Sequence, residues 1–256
     1  MSNFITEEYN ESLKFHLEEI NFNASTSLVA LTRKNVALVE MIIKYDSAYS
    51  KASDTNAAPN HNKNYCGSTA FWMSLLKKYF NREQIDYDYS EIIQNAVIAI
   101  DRENSTHINA DVIKDNNNSG GRYELAERIS NIDPKNLINY LKYPEETNYE
   151  LIEIISTPTE KGNFKRTNLS FASKFCHYAC FYLFEGEKEQ DNYPIYDQIV
   201  KNHIPNYMKY YEIEKKNLKD YKEYKSAIDE IILKSGYQIS RNGFDHLIWY
   251  YYKNKK

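Results

Sequence analysis

Glycine, proline and cysteine are scarce in this chain of 256 residues, which contains 7, 6 and 3 of them. So little glycine and proline argues against a turn-dense β fold. The chain has no GxxxxGKS, GxxxxGKT or GxGxxG segment, which excludes P-loop and Rossmann nucleotide-binding proteins. Three cysteines are too few for a disulfide framework or for a four-cysteine zinc or iron–sulfur site. They are typical of a reducing cytoplasm, where we expect the protein to act.

Long apolar runs and an excess of basic residues are also missing. No run approaches the roughly 20 residues of a membrane span, and the acidic N-terminal stretch is unlike a secretory signal. We therefore expect no membrane partner. The formal net charge is −4, whereas a general nucleic-acid-coating protein is basic. Any contact with DNA must therefore be local.

Two of the cysteines, Cys176 and Cys180, flank His177 and could be read as metal ligands. Cysteines four residues apart in an aromatic helix are, however, typical of small apolar filler. We expect neither a metal nor a cofactor.

Apolar residues recur at helical spacing through most of the chain, which predicts an all-α protein of about ten helices with minor strand content. The sequence predicts Asp133 and Gly236 as helix caps and Pro205 as a helix end. The main predicted helices are Ile5–Ile20, Leu28–Tyr49, Ser68–Phe80, Ser90–Asp101, Arg122–Ile132, Asn148–Ile155, Ser170–Phe184, Pro194–Ile204, Leu218–Ser235 and Phe244–Tyr252.

The most informative stretch of the sequence is KRTNLSFASKFCHYACFYLFEGEKEQDNYPIYDQIV, from Lys165 to Val200. A basic loop leads to a predicted tight turn, LSFAS, and then to Lys174 at the start of an aromatic helix. A charged loop follows, and Asp197 lies in the first turn of the next helix. A helix out and a loop back could bring Lys174 and Asp197 together.

Over about 35 residues this stretch resembles the helix-hairpin-helix DNA glycosylase superfamily, and in particular its 8-oxoguanine DNA glycosylase branch. The hairpin of that family reads G-V-G-x-K-x-A, and its next helix begins at P-V-D-x-H-V. Here SFASK ends in Lys174 at the first motif, and PIYD ends in Asp197 at the second.

The resemblance implies a two-lobed helix-hairpin-helix DNA glycosylase-like fold. In that fold residues 66–184 form a central helical lobe that ends in the hairpin. Residues 1–52 and 190–256 form the second lobe, and the polar segment 53–65 is a linker. Lys174 and Asp197 are expected to face each other across the cleft.

The resemblance also implies a function and a partner. Lys174 is expected to attack the sugar of a flipped-out nucleotide as an amine nucleophile, and Asp197 to act as the catalytic carboxylate. The partner is duplex DNA. The expected DNA contacts are Lys165, Arg166, Ser170, Ala172 and Ser173, with Lys161 adding to the local basic patch, and the expected base pocket includes His246 and Trp249.

Two departures from the family pattern keep other functions open. Ser170 and Ala172 stand where the family has hairpin glycines, whose freedom lets the backbone approach a phosphate closely. One alternative is a non-catalytic binding module of the same fold with a protein partner, in a bacterial defence or toxin–antitoxin system. The other is a pocket protein that processes a free modified nucleoside or nucleotide.

A further alternative starts from Cys66, because NYCGS followed by Ala70 and Phe71 is similar to the nucleophile segment of papain-like cysteine proteases. His203 lies at a plausible distance downstream, and a helix N-terminus would lower the pKa of the Cys66 thiol. The β-rich half of that fold has no room in a helical chain. The competing interpretation is an ordinary helix start with a packed cysteine.

Overall fold

The computed structural model describes residues 16–45, 47–104, 106, 108, 121–159 and 167–253. Within them lie eleven α-helices and one two-stranded sheet, so the predicted all-α class is confirmed at the level of helix content. The elements are β1 (Glu19–Asn23), β2 (Thr26–Val29), α1 (Arg33–Tyr45), α2 (Ser47–Ala52), α3 (Thr69–Phe80), α4 (Tyr89–Asn104), α5 (Gly121–Ser130), α6 (Pro134–Lys142), α7 (Glu150–Ser156), α8 (Leu169–Leu183), α9 (Gln198–Tyr210), α10 (Tyr221–Ser235) and α11 (Arg241–Lys253).

The chain divides into two compact units, one made of residues 1–50 and 194–256 and the other of residues 51–193. We call them the terminal unit and the central unit. The segment 53–65 belongs to the central unit, where Asn60 and Tyr65 form a β-bridge around a 3₁₀ turn.

The central unit is built around α8, which packs against α3, α4, α6 and α7. Phe171, Phe175 and Ala179 of α8 are buried, as are Trp72 of α3 and Ile93 of α4. Each such large side chain contributes roughly 1.5–3 kcal/mol when fully buried. The apolar run in α8 is therefore the main source of stability for this unit.

The terminal unit joins the β1–β2 hairpin and α1 to the three C-terminal helices. The Tyr207 hydroxyl on α9 donates to the Val29 carbonyl on β2 at 2.8 Å. Helix α11 packs against α1 at Gly243, where a Cβ atom would lie only 2.8 Å from Val36 Cγ1. A side chain at position 243 would therefore force Val36 to move at this helix crossing.

Several caps agree with the sequence. Asp133 caps α6 by accepting from the Lys135 amide at 2.8 Å, with Pro134 in the first turn. Gly236 ends α10 with a positive φ of 74°. These positions were predictable because the capping interaction is local.

The predicted helix Leu28–Tyr49 is wrong at its start. Leu28 pairs with Ile20 in the antiparallel hairpin, and the helix begins at Arg33. The Thr32 side chain accepts from the Asn35 amide and fixes that start. Of the predicted helix Ile5–Ile20, residues 5–15 lie outside the described residues, and Glu19 and Ile20 are in a strand.

Pro205 was predicted to end a helix, but it lies inside α9, which continues to Tyr210. The proline is exposed, while Ile204, Tyr207 and Met208 are buried. Burial of these three side chains outweighs the one backbone hydrogen bond that proline cannot donate.

We expect Pro205→Ala to raise the free energy of unfolding by about 2 kcal/mol, because alanine restores the missing N–H at an exposed helix position. Urea denaturation followed by circular dichroism measures the change. Pro134→Ala is the control, since proline in a first helical turn lacks no helical bond. Equal effects of the two substitutions would contradict this explanation.

Candidate functional site

Lys174 lies in the second turn of α8, which begins at Leu169, one residue before the predicted helix start at Ser170. The segment LSFAS is therefore helical, and the predicted tight turn there is wrong. Phe171 is buried in the core, and the Ala172 amide donates to the Asn168 carbonyl at 2.8 Å. The apolar periodicity of the helix extends back through these residues and sets its start.

The helical path changes what the residues before Lys174 can contact. Ala172 and Ser173 are fully buried, and the Ser173 hydroxyl donates to the Ser170 carbonyl at 3.0 Å. Their role as DNA contacts stays a prediction, and this burial weighs against it. Lys161, Lys165 and Arg166 lie outside the described residues.

The Lys174 ammonium reaches the C-terminal end of α4. Its side chain is buried, and Nζ donates to the main-chain oxygen of Asn104 at 3.2 Å. The carbonyl groups at the end of a helix carry partial negative charge, so a cation is favourable there. This contact fixes the position of the amine inside the central unit.

Asn104 also binds Tyr178, which lies one helical turn after Lys174 on α8. The Tyr178 hydroxyl donates to Asn104 Oδ1 at 2.8 Å, and Asn104 Nδ2 donates to the Ile100 carbonyl at 3.2 Å. Asn104 thus joins two side chains of one α8 face to the end of α4. The sequence did not predict a role for Asn104. The spacing of Lys174 and Tyr178 places both on one helix face, but no sequence pattern connects them to a residue 70 positions before Lys174.

A buried ion pair lies in the same last turn of α4. Asp101 accepts from Arg122 Nε at 2.6 Å and from the Ile108 amide at 3.1 Å, and it also accepts from the Thr106 hydroxyl. The last turn of α4, the first turn of α5 and residues 106 and 108 between them are therefore all tied to the Asp101 carboxylate. These hydrogen bonds compensate for the burial of the Asp101 carboxylate, and we therefore assign it a structural role.

His177 is a buried neutral histidine. Its Nδ1 lies 3.1 Å from the Tyr193 carbonyl, and because a carbonyl can only accept, Nδ1 carries the proton. Desolvation lowers the pKa of His177 to about 4, against a smaller opposite effect of this hydrogen bond. At neutral pH the imidazole therefore acts as a hydrogen-bond donor that holds the chain after α8.

The two cysteines beside His177 are buried as well. Desolvation raises the pKa of both the Cys176 and the Cys180 thiol well above its ordinary value. In the described ranges no group of three or more histidine, cysteine or acidic side chains is arranged to hold a metal ion.

Cys66 has the opposite properties from those a papain-like nucleophile needs. Desolvation raises the pKa of its thiol, and Sγ contacts the Gly67 carbonyl at 3.6 Å. The shallow cleft beside it has a volume of about 200 Å³, below the roughly 300–1,000 Å³ of typical ligand sites. It is lined by Pro59, Asn64, Tyr65, Cys66 and Asn95.

Asp197 caps α9 in the terminal unit. Its Oδ1 accepts from the Ile199 amide at 2.7 Å and from the Val200 amide at 3.4 Å. Both bonds are accepted by Oδ1, and Oδ2 takes no part in the cap.

The two residues predicted for a base pocket lie on α11, also in the terminal unit. His246 makes an edge contact with Tyr49 at 6.3 Å between ring centroids. The Lys253 ammonium lies 3.9 Å from the centre of the Trp249 ring. Their role in a base pocket stays a prediction.

Lys174 and Asp197 belong to different units, the central and the terminal one, respectively. Their predicted meeting across a cleft stays a prediction.

Comparison with family models, with curated proteins and with solved structures finds no match to this chain. A separate search of the described helices finds none that is both long and apolar enough to cross a membrane. A functional assignment must therefore be argued from the residues themselves.

We expect stability to fall as the pH is lowered from about 6.5 to 4, because in this range the unfolded chain binds a proton at residue 177 and the folded chain does not. The contribution of His177 is on the order of 3 kcal/mol. Asparagine keeps a hydrogen-bond donor but does not titrate. In His177→Asn the free energy of unfolding, measured by urea denaturation at several pH values, should therefore fall less than in wild type as the pH is lowered. The control is the same substitution at exposed His16, and equal pH dependence in His177→Asn and wild type would contradict this origin.

Proposed function

We propose that this chain is a DNA glycosylase that excises a damaged or modified base and has an associated lyase activity. The observation that carries the proposal is the order of three features: a buried lysine on an apolar helix, a connecting segment that contains a 3₁₀ turn, and an aspartate that begins the next helix. This is the order that the glycosylase resemblance implies for the nucleophile and the catalytic carboxylate.

The surroundings of Lys174 support a nucleophilic role. Buried lysines are rare unless paired, and the described residues contain two, Lys174 and Lys225. Lys225 donates to the Asp229 carboxylate at 3.0 Å, and one contact of Lys174 is with the Asn104 main-chain oxygen at 3.2 Å. A neutral amine still has N–H groups to donate, so this contact does not depend on a positive charge.

The proposed reaction is the attack of an amine on the sugar of a flipped-out nucleotide. The neutral Lys174 amine attacks C1′ of a flipped-out nucleotide while the bond from C1′ to the base breaks. The departing base nitrogen takes up one of the two protons of the attacking amine. The C1′–O4′ bond then breaks, the remaining N–H proton is transferred to O4′, and an imine forms between Nζ and C1′. Positive charge develops on the sugar before the imine forms, and the Asp197 carboxylate is suited to stabilise it.

The partner we propose is duplex DNA, and the site of action is the cytoplasm. Because the net charge is −4, we expect binding to depend on a small number of phosphate contacts and to weaken modestly with salt.

We expect Lys174→Arg to abolish borohydride trapping of the protein on DNA that contains an abasic site or a lesion, because arginine keeps the charge but cannot form an imine. Wild-type protein should give a covalent product on a denaturing gel. Lys225→Arg is the matched control at the other buried lysine and should trap like wild type. Equal trapping by wild type and Lys174→Arg would end the covalent mechanism.

We expect Asp197→Asn to slow base excision by about 100-fold or more, because the amide keeps the helix cap but loses the negative charge. Asp220 caps α10 in the same way, with bonds from the Lys222 and Glu223 amides. Asp220→Asn therefore serves as the control and should match the stability change without the loss of rate. A normal excision rate in Asp197→Asn would exclude a catalytic carboxylate there.

A second candidate is a non-catalytic module of the same fold that binds a protein partner. The burial of Ala172 and Ser173 favours it, since these residues offer little to a DNA phosphate. A mobility shift with duplex DNA at low and high salt separates the two candidates. Absence of any shift, together with absence of trapping, would favour the non-catalytic module.

A further inference from the structure

The segment Pro194–Asp197 has no regular secondary structure, although Pro194 and Ile195 are buried. Buried main-chain carbonyls need hydrogen-bond partners. Inside the segment, the Asp197 amide donates to the Ile195 carbonyl at 3.1 Å, and this bond alone leaves the Pro194 carbonyl to a partner from another element. The partners come from α10, which lies in the same terminal unit.

Two tyrosines of α10 supply these hydrogen bonds. The Tyr221 hydroxyl donates to the Pro194 carbonyl at 2.8 Å, and the Tyr224 hydroxyl donates to the Ile195 carbonyl at 2.7 Å. Both side chains are buried, and their spacing of three residues places them on one helix face. The carbonyls of Pro194 and Ile195, just before Tyr196 and Asp197 in the chain, thus both accept hydrogen bonds from α10.

Tyr196 extends this arrangement to the residue next to Asp197. Its ring packs on Tyr224 with 4.9 Å between centroids, and its hydroxyl donates to the Leu218 carbonyl at 3.0 Å. The Lys201 ammonium donates to the same hydroxyl at 3.0 Å. The backbone on the N-terminal side of Asp197 is therefore fixed at three successive residues.

We propose that Tyr221 and Tyr224 are positioning residues for Asp197, which hold the aspartate backbone so that its carboxylate both caps α9 and is presented for catalysis. This inference rests on the proposed catalytic role of Asp197. The two hydroxyls do not touch the reacting atoms in this scheme. They act through the Pro194–Asp197 backbone, whose position sets the direction of the carboxylate.

The test uses the full chain with Tyr221→Phe, Tyr224→Phe and the double variant, each of which removes only hydroxyl groups. Tyr207→Phe is the matched control, because the Tyr207 hydroxyl is also buried in the terminal unit and donates to a carbonyl, that of Val29, at 2.8 Å. The three single variants should show similar shifts in the denaturation midpoint, and the double variant a larger one, because it loses two hydrogen bonds.

The first measurement is amide hydrogen exchange at Ile199 and Val200, whose N–H groups bind Asp197 Oδ1. We expect exchange there to speed up by about threefold or more in the Tyr221 and Tyr224 variants and to stay unchanged in Tyr207→Phe. Unchanged exchange in the double variant overturns the positioning role, whether or not the protein proves to be an enzyme.

The second measurement is the single-turnover rate of base excision with its dependence on DNA concentration. We expect the rate to fall about tenfold in the double variant, with the half-saturating DNA concentration unchanged. In an Asp197→Asn background the same substitutions should have no further effect, because they act through that carboxylate. Full additivity with Asp197→Asn would overturn the inference and leave the proposed function intact, whereas an inactive wild type would refute the proposed function alone.

Discussion

Burial of the apolar face of α8 is the constraint on which the central unit depends. Once Phe171, Phe175 and Ala179 enter the core, every polar side chain between them must find a partner inside the protein. Lys174 does so at the end of α4, Ser173 at the preceding helical turn, and His177 at the Tyr193 carbonyl. The position of the proposed nucleophile is therefore a consequence of core packing, and it leaves the amine in a place that water reaches poorly.

Tyrosine serves a comparable purpose in both units. The chain has 24 tyrosines, and buried ones donate to main-chain carbonyls of distant segments, as Tyr193 does to the Tyr140 carbonyl in the last turn of α6 at 2.7 Å. A buried tyrosine supplies a large apolar ring and a single donor at its far end. With few glycines and prolines to shape its connections, this chain fixes them by hydrogen bonds from neighbouring helices.

Features that depend on local chemistry were predictable from the sequence, and features that depend on distant contacts were not. The Asp133 and Gly236 caps involve neighbours within a few residues, and the apolar period located most helices. The Leu28–Val29 strand was hidden, because two apolar residues suit either a strand or a helix until Ile20 is known to pair with Leu28. For the site, the sequence pointed to Lys174 and Asp197, but Asn104 and the two tyrosines of α10 became visible only when the helices were packed.

The proposed double use of Asp197, as a helix cap and as a catalytic carboxylate, has an evolutionary consequence. A descendant that lost the chemistry would still be under selection to keep a capping side chain at this position, because α9 needs an acceptor for the Ile199 amide. Asparagine or serine would satisfy that need without a charge. Under the proposed function, relatives that keep the chemistry should therefore keep aspartate at 197 together with lysine at 174, whereas neutral caps at 197 would mark proteins that kept only the scaffold.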